Sequence, residues 1–224
     1  MKKTLFSVAA LLLGGCLSMQ AQVSLVNPVP HQVERQAGAA VVKAPKAWAI
    51  TADAGRHQDV VRLLQQAEGA KAGGAKAAFK LTIGVKGDKA VKKYAKKIPA
   101  KAEGYYLEVT PKGAVLAAAD EVGLFWAAQT WMAMLSEGKM EYCTITDYPD
   151  VPYRGVVEGF YGTPWSHQAR LSQIAFYARH KMNVYIYGPK DDPWHRDKWR
   201  EPYPEAEAKR ISELATYARS LGVN

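Results

Sequence analysis

Two short segments hold the residues best suited to chemistry. The first runs Glu158-Gly159-Phe160-Tyr161-Gly162-Thr163-Pro164-Trp165, and the second Tyr187-Gly188-Pro189-Lys190-Asp191-Asp192-Pro193-Trp194-His195. Glycines let backbone turn sharply or approach a ligand closely. Tyrosine and tryptophan give flat apolar faces with a polar edge, and lysine gives three rotatable donors. Such a set suits a hydroxyl-rich ligand. Asp191-Asp192 also invites a second reading, a carboxylate pair that moves protons, which needs one member with its pKa tuned toward the working pH. The five histidines fall into no HExxH or other metal-spaced set, so no metal and no cofactor is expected.

These segments need elements to hold them. Val156 and Val157 lead into the first as a β-rich run, and Ser166 is a good N-cap for a helix from His167. Leu171, Ile174 and Ala178 recur on it at spacings of three and four, and Asn183 ends it. Val184-Tyr185-Ile186-Tyr187 is a short apolar strand that delivers the second segment. Strand, loop, helix, strand, loop is the opening of a β/α barrel or a doubly wound sheet. In both, ligands bind at the carboxyl ends of the strands, where these loops lie.

EGFYGTPW followed by YGPKDDPWH resembles glycoside hydrolase family 84, the retaining β-N-acetylglucosaminidases that include bacterial relatives of O-GlcNAcase. The likeness runs from about Val23 to the last residue and is closest over Tyr153 to Pro204. It implies an α/β fold: a small N-terminal α+β hexosaminidase-type domain over residues 22–150, then the first two to three strands of a (β/α)8 TIM barrel over 151–224. A barrel of about eight strands takes ~250 residues, so the chain reads as truncated. The implied reaction is substrate-assisted, with the substrate's acetamido oxygen attacking the anomeric carbon to form an oxazoline. The family's catalytic aspartate pair follows the fourth barrel strand, which this chain does not reach, so no catalytic residue is expected here and the chain alone should be inactive. Asp191-Asp192 belongs to a distinct KDD motif after the second strand and is expected to cap and to pair with Arg196, Lys198 or Arg200. Glu158 is expected to be structural, held by Arg154 or a backbone amide.

The resemblance implies three substrate-binding positions. Gly159 matches the residue whose carbonyl receives a sugar hydroxyl, Tyr161 the pocket aromatic beside it, and Lys190 the lysine that donates to the sugar. The implied partners are N-acetylglucosamine-containing glycans or glycoproteins. Two alternatives stand beside this reading. One is a non-catalytic carbohydrate-binding or accessory protein with only the front of the fold. The other is a family 20-like hexosaminidase, against which the EGFYG and GPKDD loops argue.

The remaining chain supports an exported protein. Met1 to about Ala21 is a signal peptide, with Lys2 and Lys3 before a Leu5–Leu13 apolar run too short to span a membrane. Cleavage after Ala21 and a lipobox reading of Leu13-Gly14-Gly15-Cys16, which would leave a lipid anchor on Cys16, both fit; export follows from either. The formal charge of +9 is spread evenly, +4 over residues 22–150 (17 basic, 13 acidic) and +3 over 151–224 (11 basic, 8 acidic). From Lys71 to Lys112 eleven lysines face three acids. Without interleaved arginine this reads as a solvated face, and no nucleic-acid partner is expected.

Within residues 22–150, Ala47–Thr51 reads as a strand, His57–Ala67 as a helix, Gly69–Ala75 as a flexible loop and Phe79–Val85 as an alternating, half-buried strand. Asp88 is expected to cap a lysine-rich helix with Val91, Tyr94 and Ile98 inward. A hairpin over Pro111-Lys112-Gly113 follows, then a buried helix, Val122–Leu135, capped by Asp120. Cys143 reads as a small buried residue of a strand. Asp147–Pro152 reads as a linker, and Pro204 starts a last helix with stripe Ile211, Leu214, Ala215, Ala218 and Leu221, stopped at Gly222.

Overall fold

The computed structural model describes residues 26–36, 42–67, 69–71 and 77–224. The signal segment, Cys16 and most of the Gly69–Ala75 loop lie outside the described residues. The first part of the chain folds as β1 (Gln32–Arg35), β2 (Val42–Lys43), β3 (Trp48–Thr51), α1 (Gln58–Gln65), β4 (Ala70–Lys71), β5 (Phe79–Val85), β6 (Tyr105–Thr110), β7 (Gly113–Ala118), α2 (Glu121–Ser136), β8 (Lys139–Met140) and β9 (Cys143–Asp147). Seven of these strands form one mixed sheet in the order β1-β9-β6-β7-β5-β3-β4. The β5–β7, β3–β5 and β3–β4 pairs are parallel, while β6 and β9 run antiparallel to their neighbours.

α2 explains the stability of this layer. Asp120 caps it by accepting from Gly123 N at 2.8 Å, and its apolar residues cover nearly every face rather than one stripe. Such a helix has to be buried. Leu124, Trp126, Ala127, Ala128 and Trp131 are sealed from solvent. Trp131 meets Trp48 edge-on and Phe79 face-on, each at 5.9 Å.

The last part of the chain comprises β10 (Gly155–Glu158), α3 (His167–Arg179), β11 (Val184–Tyr187) and α4 (Glu205–Ser220). β10 and β11 pair in parallel, Gly155 with Val184 through Glu158 with Tyr187. This is a right-sized βαβ unit followed by the next helix. Ile174, Tyr177, Ala178, Leu214, Ala218 and Val223 join the same apolar core as Trp48 and Leu116. The two parts therefore share one core. Polar ties reinforce it: Lys181 Nζ donates to Asp147 at 2.7 Å and to Tyr105 Oη at 2.8 Å, and Arg154 Nη2 to Glu103 at 2.6 Å.

Several expectations need correction. The lysine-rich helix is only a 3-10 turn at Lys92–Tyr94. Asp88 does not cap it, because its carboxylate is taken by Val85 N at 2.7 Å and His57 Nε2 at 2.7 Å. Val91, Tyr94 and Ile98 still pack inward, on Tyr106, Val115 and Ala117. β5 keeps its alternation to Ile83 and then loses it, since Gly84 and Val85 are both buried as well; a strand lying inside the sheet is covered on both faces. Asp147 is the buried end of β9 rather than linker, fixed by Lys181, Tyr105 and His31 N. α3 ends at Arg179, four residues before Asn183, and Pro204 is the N-cap of α4 rather than its first helical residue. The short strands β1, β2, β4 and β8 are found by pairing alone, since their sequences carry no apolar alternation of useful length.

Candidate functional site

The site sits where β10 and β11 end side by side. Their parallel pairing continues into the loops as backbone bonds: Gly188 N donates to Glu158 O at 3.1 Å and Lys190 N to Phe160 O at 3.1 Å. Asp191 then accepts from Gly162 N at 2.8 Å. Three successive ties lace the two loops together. Gly162 has φ 98°, a left-handed conformation that suits glycine, at the point where the first loop turns to meet Asp191.

The lacing brings two of the expected binding residues into contact. The Lys190 ammonium lies over the Tyr161 ring, 5.1 Å from its centroid. Tyr161 is 70% exposed, which is far more than a packing residue would be. Among the described residues Lys190 makes no ion pair, and its neighbour Asp191 is turned to the Gly162 amide, so its three donors are not tied up by a carboxylate. Gly159 begins the same loop. A Cβ there would meet only the Val157 side chain, at 3.1 Å, so the space in front of this backbone is otherwise open.

Glu158 is fully buried beneath the loops. Its carboxylate accepts from Arg170 Nε and Nη2, both at 2.8 Å, from Trp165 N at 3.0 Å and from the Tyr185 hydroxyl. Burial by itself would raise its pKa, but the Arg170, Tyr185 and Trp165 donors outweigh burial and hold it below the usual carboxylate value. The partner is thus Arg170 of α3, not Arg154, whose guanidinium serves Glu103 and the carbonyls of Val151, Pro152 and Lys181.

Asp192 is placed in a similar way. It caps the turn at Pro193–His195 through Trp194 N at 2.9 Å and accepts from the hydroxyls of Tyr187 and, at 3.1 Å, Tyr203. Burial pushes its pKa up, and these donors more than reverse that, leaving it lowered. The capping expectation stands, whereas the expected partners Arg196, Lys198 and Arg200 are replaced by tyrosines. Arg170 lies 4.7 Å from the Tyr187 ring centroid, which links the Glu158 and Asp192 clusters into one buried polar layer under the loops.

The arrangement can bind and orient. A proton-transferring pair needs a carboxyl shifted up toward neutrality, and Glu158 and Asp192 are shifted the other way. Arg170, Tyr185, Tyr187 and Tyr203 form the supporting layer, and the sequence assigns that role to none of the four. The available signal was Arg170 four residues after the N-cap, a long cation on the helix turn that faces the end of β10.

Residues 154–224 match the family described as beta-N-acetylglucosaminidase, and residues 24–148 match domain 2 of glycosyl hydrolase family 20. Protein O-GlcNAcase of Rattus norvegicus is 45% identical over 69 residues, which is 31% of this chain and 8% of that protein. The solved structure of CpGH84B superposes with a TM-score of 0.70 at 30% identity, over 88% of this chain and 35% of that one. A mutant Streptomyces plicatus β-hexosaminidase, solved in complex with its product GlcNAc, gives 0.66 at 21% identity over 91% of this chain and 45% of that one, a likeness of fold. The chain therefore spans less than half the length of each of these relatives.

Proposed function

This chain belongs, over part of their length, to the O-GlcNAcase-like glycoside hydrolases of family 84, and from that membership we propose that it supplies part of the sugar-binding site of an exported β-N-acetylglucosaminidase. The observation that carries the reading is the laced pair of loops, which sets the Lys190 ammonium over Tyr161 with the open backbone of Gly159 in the same loop. The Tyr161 ring offers a face to the sugar's C–H surface, Lys190 donates to its hydroxyls, and the Gly159 carbonyl accepts from another. The ligand is a terminal β-linked N-acetylglucosamine on a glycan or glycoprotein.

In the substrate-assisted reaction that goes with this family, the acetamido oxygen is the nucleophile. The role of Gly159, Tyr161 and Lys190 is then to hold the ring while groups other than these move the proton. Asp191 and Asp192 are not those groups. Export is by the leader at residues 1–21, with cleavage after Ala21 or lipidation at Cys16 as the two routes; the mass of the mature N-terminus distinguishes them.

Titration with N-acetylglucosamine tests the binding role. Losing a hydrogen bond from a charged donor costs about 1.5–3 kcal/mol, so Lys190→Ala should weaken binding roughly 10- to 150-fold. Tyr161→Phe should keep most of the affinity and Tyr161→Ala should lose it. Equal affinity in wild type and Lys190→Ala would remove the assignment. Release of nitrophenol from a nitrophenyl β-N-acetylglucosaminide, abolished by Asp191→Asn or Asp192→Asn, would instead make that pair catalytic.

A further inference from the structure

A second hollow opens on the other side of the Asp191–Gly162 tie, between the starts of α3 and α4. Its volume is about 750 Å³, within the usual range for a small-molecule site. The hollow between the α1–α2 corner and the end of α4 is about 330 Å³, and the one behind β11 about 240 Å³. The indoles of Trp165 and Trp194 stand in its wall, both half-buried. Each is braced by another ring, Trp165 by Phe160 at 5.4 Å and Trp194 by Tyr203 at 5.8 Å. Braced aromatic walls need little ordering on binding.

The polar groups around these rings are of mixed kind. Gln168, Asp191, Glu207 and Arg210 line the hollow, and the buried Arg170 and Asp192 also face it. The buried pair is already satisfied, Arg170 by Glu158 and Asp192 by two tyrosines and the Trp194 amide. Nothing deep in the hollow calls for a charged ligand. The rim carries acids and a base together, so it makes no single-signed field for a polyanion or polycation. The Gln168 amide has no hydrogen bond among the described residues and is a free donor and acceptor. Flat apolar faces plus several donors and acceptors match a ligand with C–H faces and hydroxyls.

We propose that this cleft binds a neutral saccharide unit as a second site, separate from the Lys190–Tyr161 face and sharing only the Asp191 wall with it. It stands on its own lining and does not depend on the role given to Lys190.

The test is a titration of the full chain with chitotriose, followed by the indole N–H signals of the six tryptophans in proton–nitrogen spectra. Trp165→Phe and Trp194→Phe assign the two signals. Saturable shifts at both are expected, with about tenfold weaker binding in Trp194→Ala and in Gln168→Ala, a change of about 1.4 kcal/mol. Gln168 is an exposed helix residue, so its variant keeps the test open if Trp194→Ala fails to fold. Lys190→Ala should leave the Trp165 and Trp194 shifts in place. Loss of those shifts in Lys190→Ala would mean they report only on the first site, and the cleft proposal falls. Absence of shifts up to about 10 mM chitotriose, an affinity about tenfold weaker than millimolar, also overturns it, as does preferred binding of a sulfated oligosaccharide. Persistent cleft shifts alongside unchanged N-acetylglucosamine affinity in Lys190→Ala would sink the first reading and keep this one.

Discussion

Replacing Arg170 with leucine should be the most damaging single change near the site, although Arg170 lies beneath the loops that carry Gly159, Tyr161 and Lys190 and its Nε and Nη2 donors are taken by Glu158. The Glu158 side chain is 0% exposed and that of Arg170 7%. Arg170→Leu removes two of the four donors to the Glu158 carboxylate, both at 2.8 Å, and the only positive charge paired with it among the described residues. It also removes the cation over the Tyr187 ring. A buried charge that loses its partner costs about 3–5 kcal/mol. For a chain of this size each kcal/mol shifts the midpoint by roughly 2–4 °C, so thermal unfolding should fall by about 6–20 °C. The informative control is the double variant Arg170→Leu/Glu158→Leu. It removes the stranded charge along with its partner and should recover much of the loss, because the pair as a whole is worth little more than well-packed apolar residues. Melting curves by circular dichroism, with urea midpoints as a check, measure all four corners of the cycle. A single-variant loss under about 1 kcal/mol, the range of an exposed bridge, would refute the claim that Arg170 neutralises a buried charge. So would a double variant less stable than Arg170→Leu.

Acid should loosen the same layer. Glu158 and Asp192 both have folded pKa values below their ordinary ones, so between those values the unfolded chain binds more protons. Their contribution is complete above the unfolded range of about 4 and is lost as pH falls through the folded values. Tyr187→Phe removes a donor to Asp192 and should flatten that loss, as measured by urea midpoints between neutral and acid pH. Gly155→Ala should break the strand pair, since a Cβ there would lie 1.7 Å from the Val184 carbonyl oxygen; faster amide exchange over Val184–Tyr187 is the readout. Cys143 is buried and burial, the largest influence, pushes its thiol up to about 11. In a Cys16→Ser background a thiol reagent at pH 7 should therefore leave the native protein unlabelled and modify it after unfolding; rapid native labelling would contradict its placement.

The local patterns that the sequence carries by itself are the ones with short-range causes. Ser166 and Asp120 cap their helices because a side-chain oxygen reaches an amide three residues on. α2 is buried because its apolar residues leave no polar face, and Val184–Tyr187 is a strand because a short apolar run between turn residues has few alternatives. The two loops with Gly159, Tyr161 and Lys190 were legible for the same reason, since their glycines, prolines and aromatic residues are contiguous. Partners distant in the chain were not legible. Which cation holds Glu158 depends on α3 returning across the end of β10, which brings Arg170 to it and sends Arg154 to Glu103. The neighbours of Asp88 favour a helix that it would cap, yet the fold brings His57 to its carboxylate from another element, and that long-range bond together with the Val85 amide takes the place of the cap. Asp192 has basic residues close by in sequence, but its acceptor sites are filled by Tyr187 and Tyr203. The contact of Lys190 with Tyr161 likewise needs the parallel register of β10 and β11, a pairing made by hydrogen bonds between backbones that are remote in the chain and that side-chain pattern does not encode.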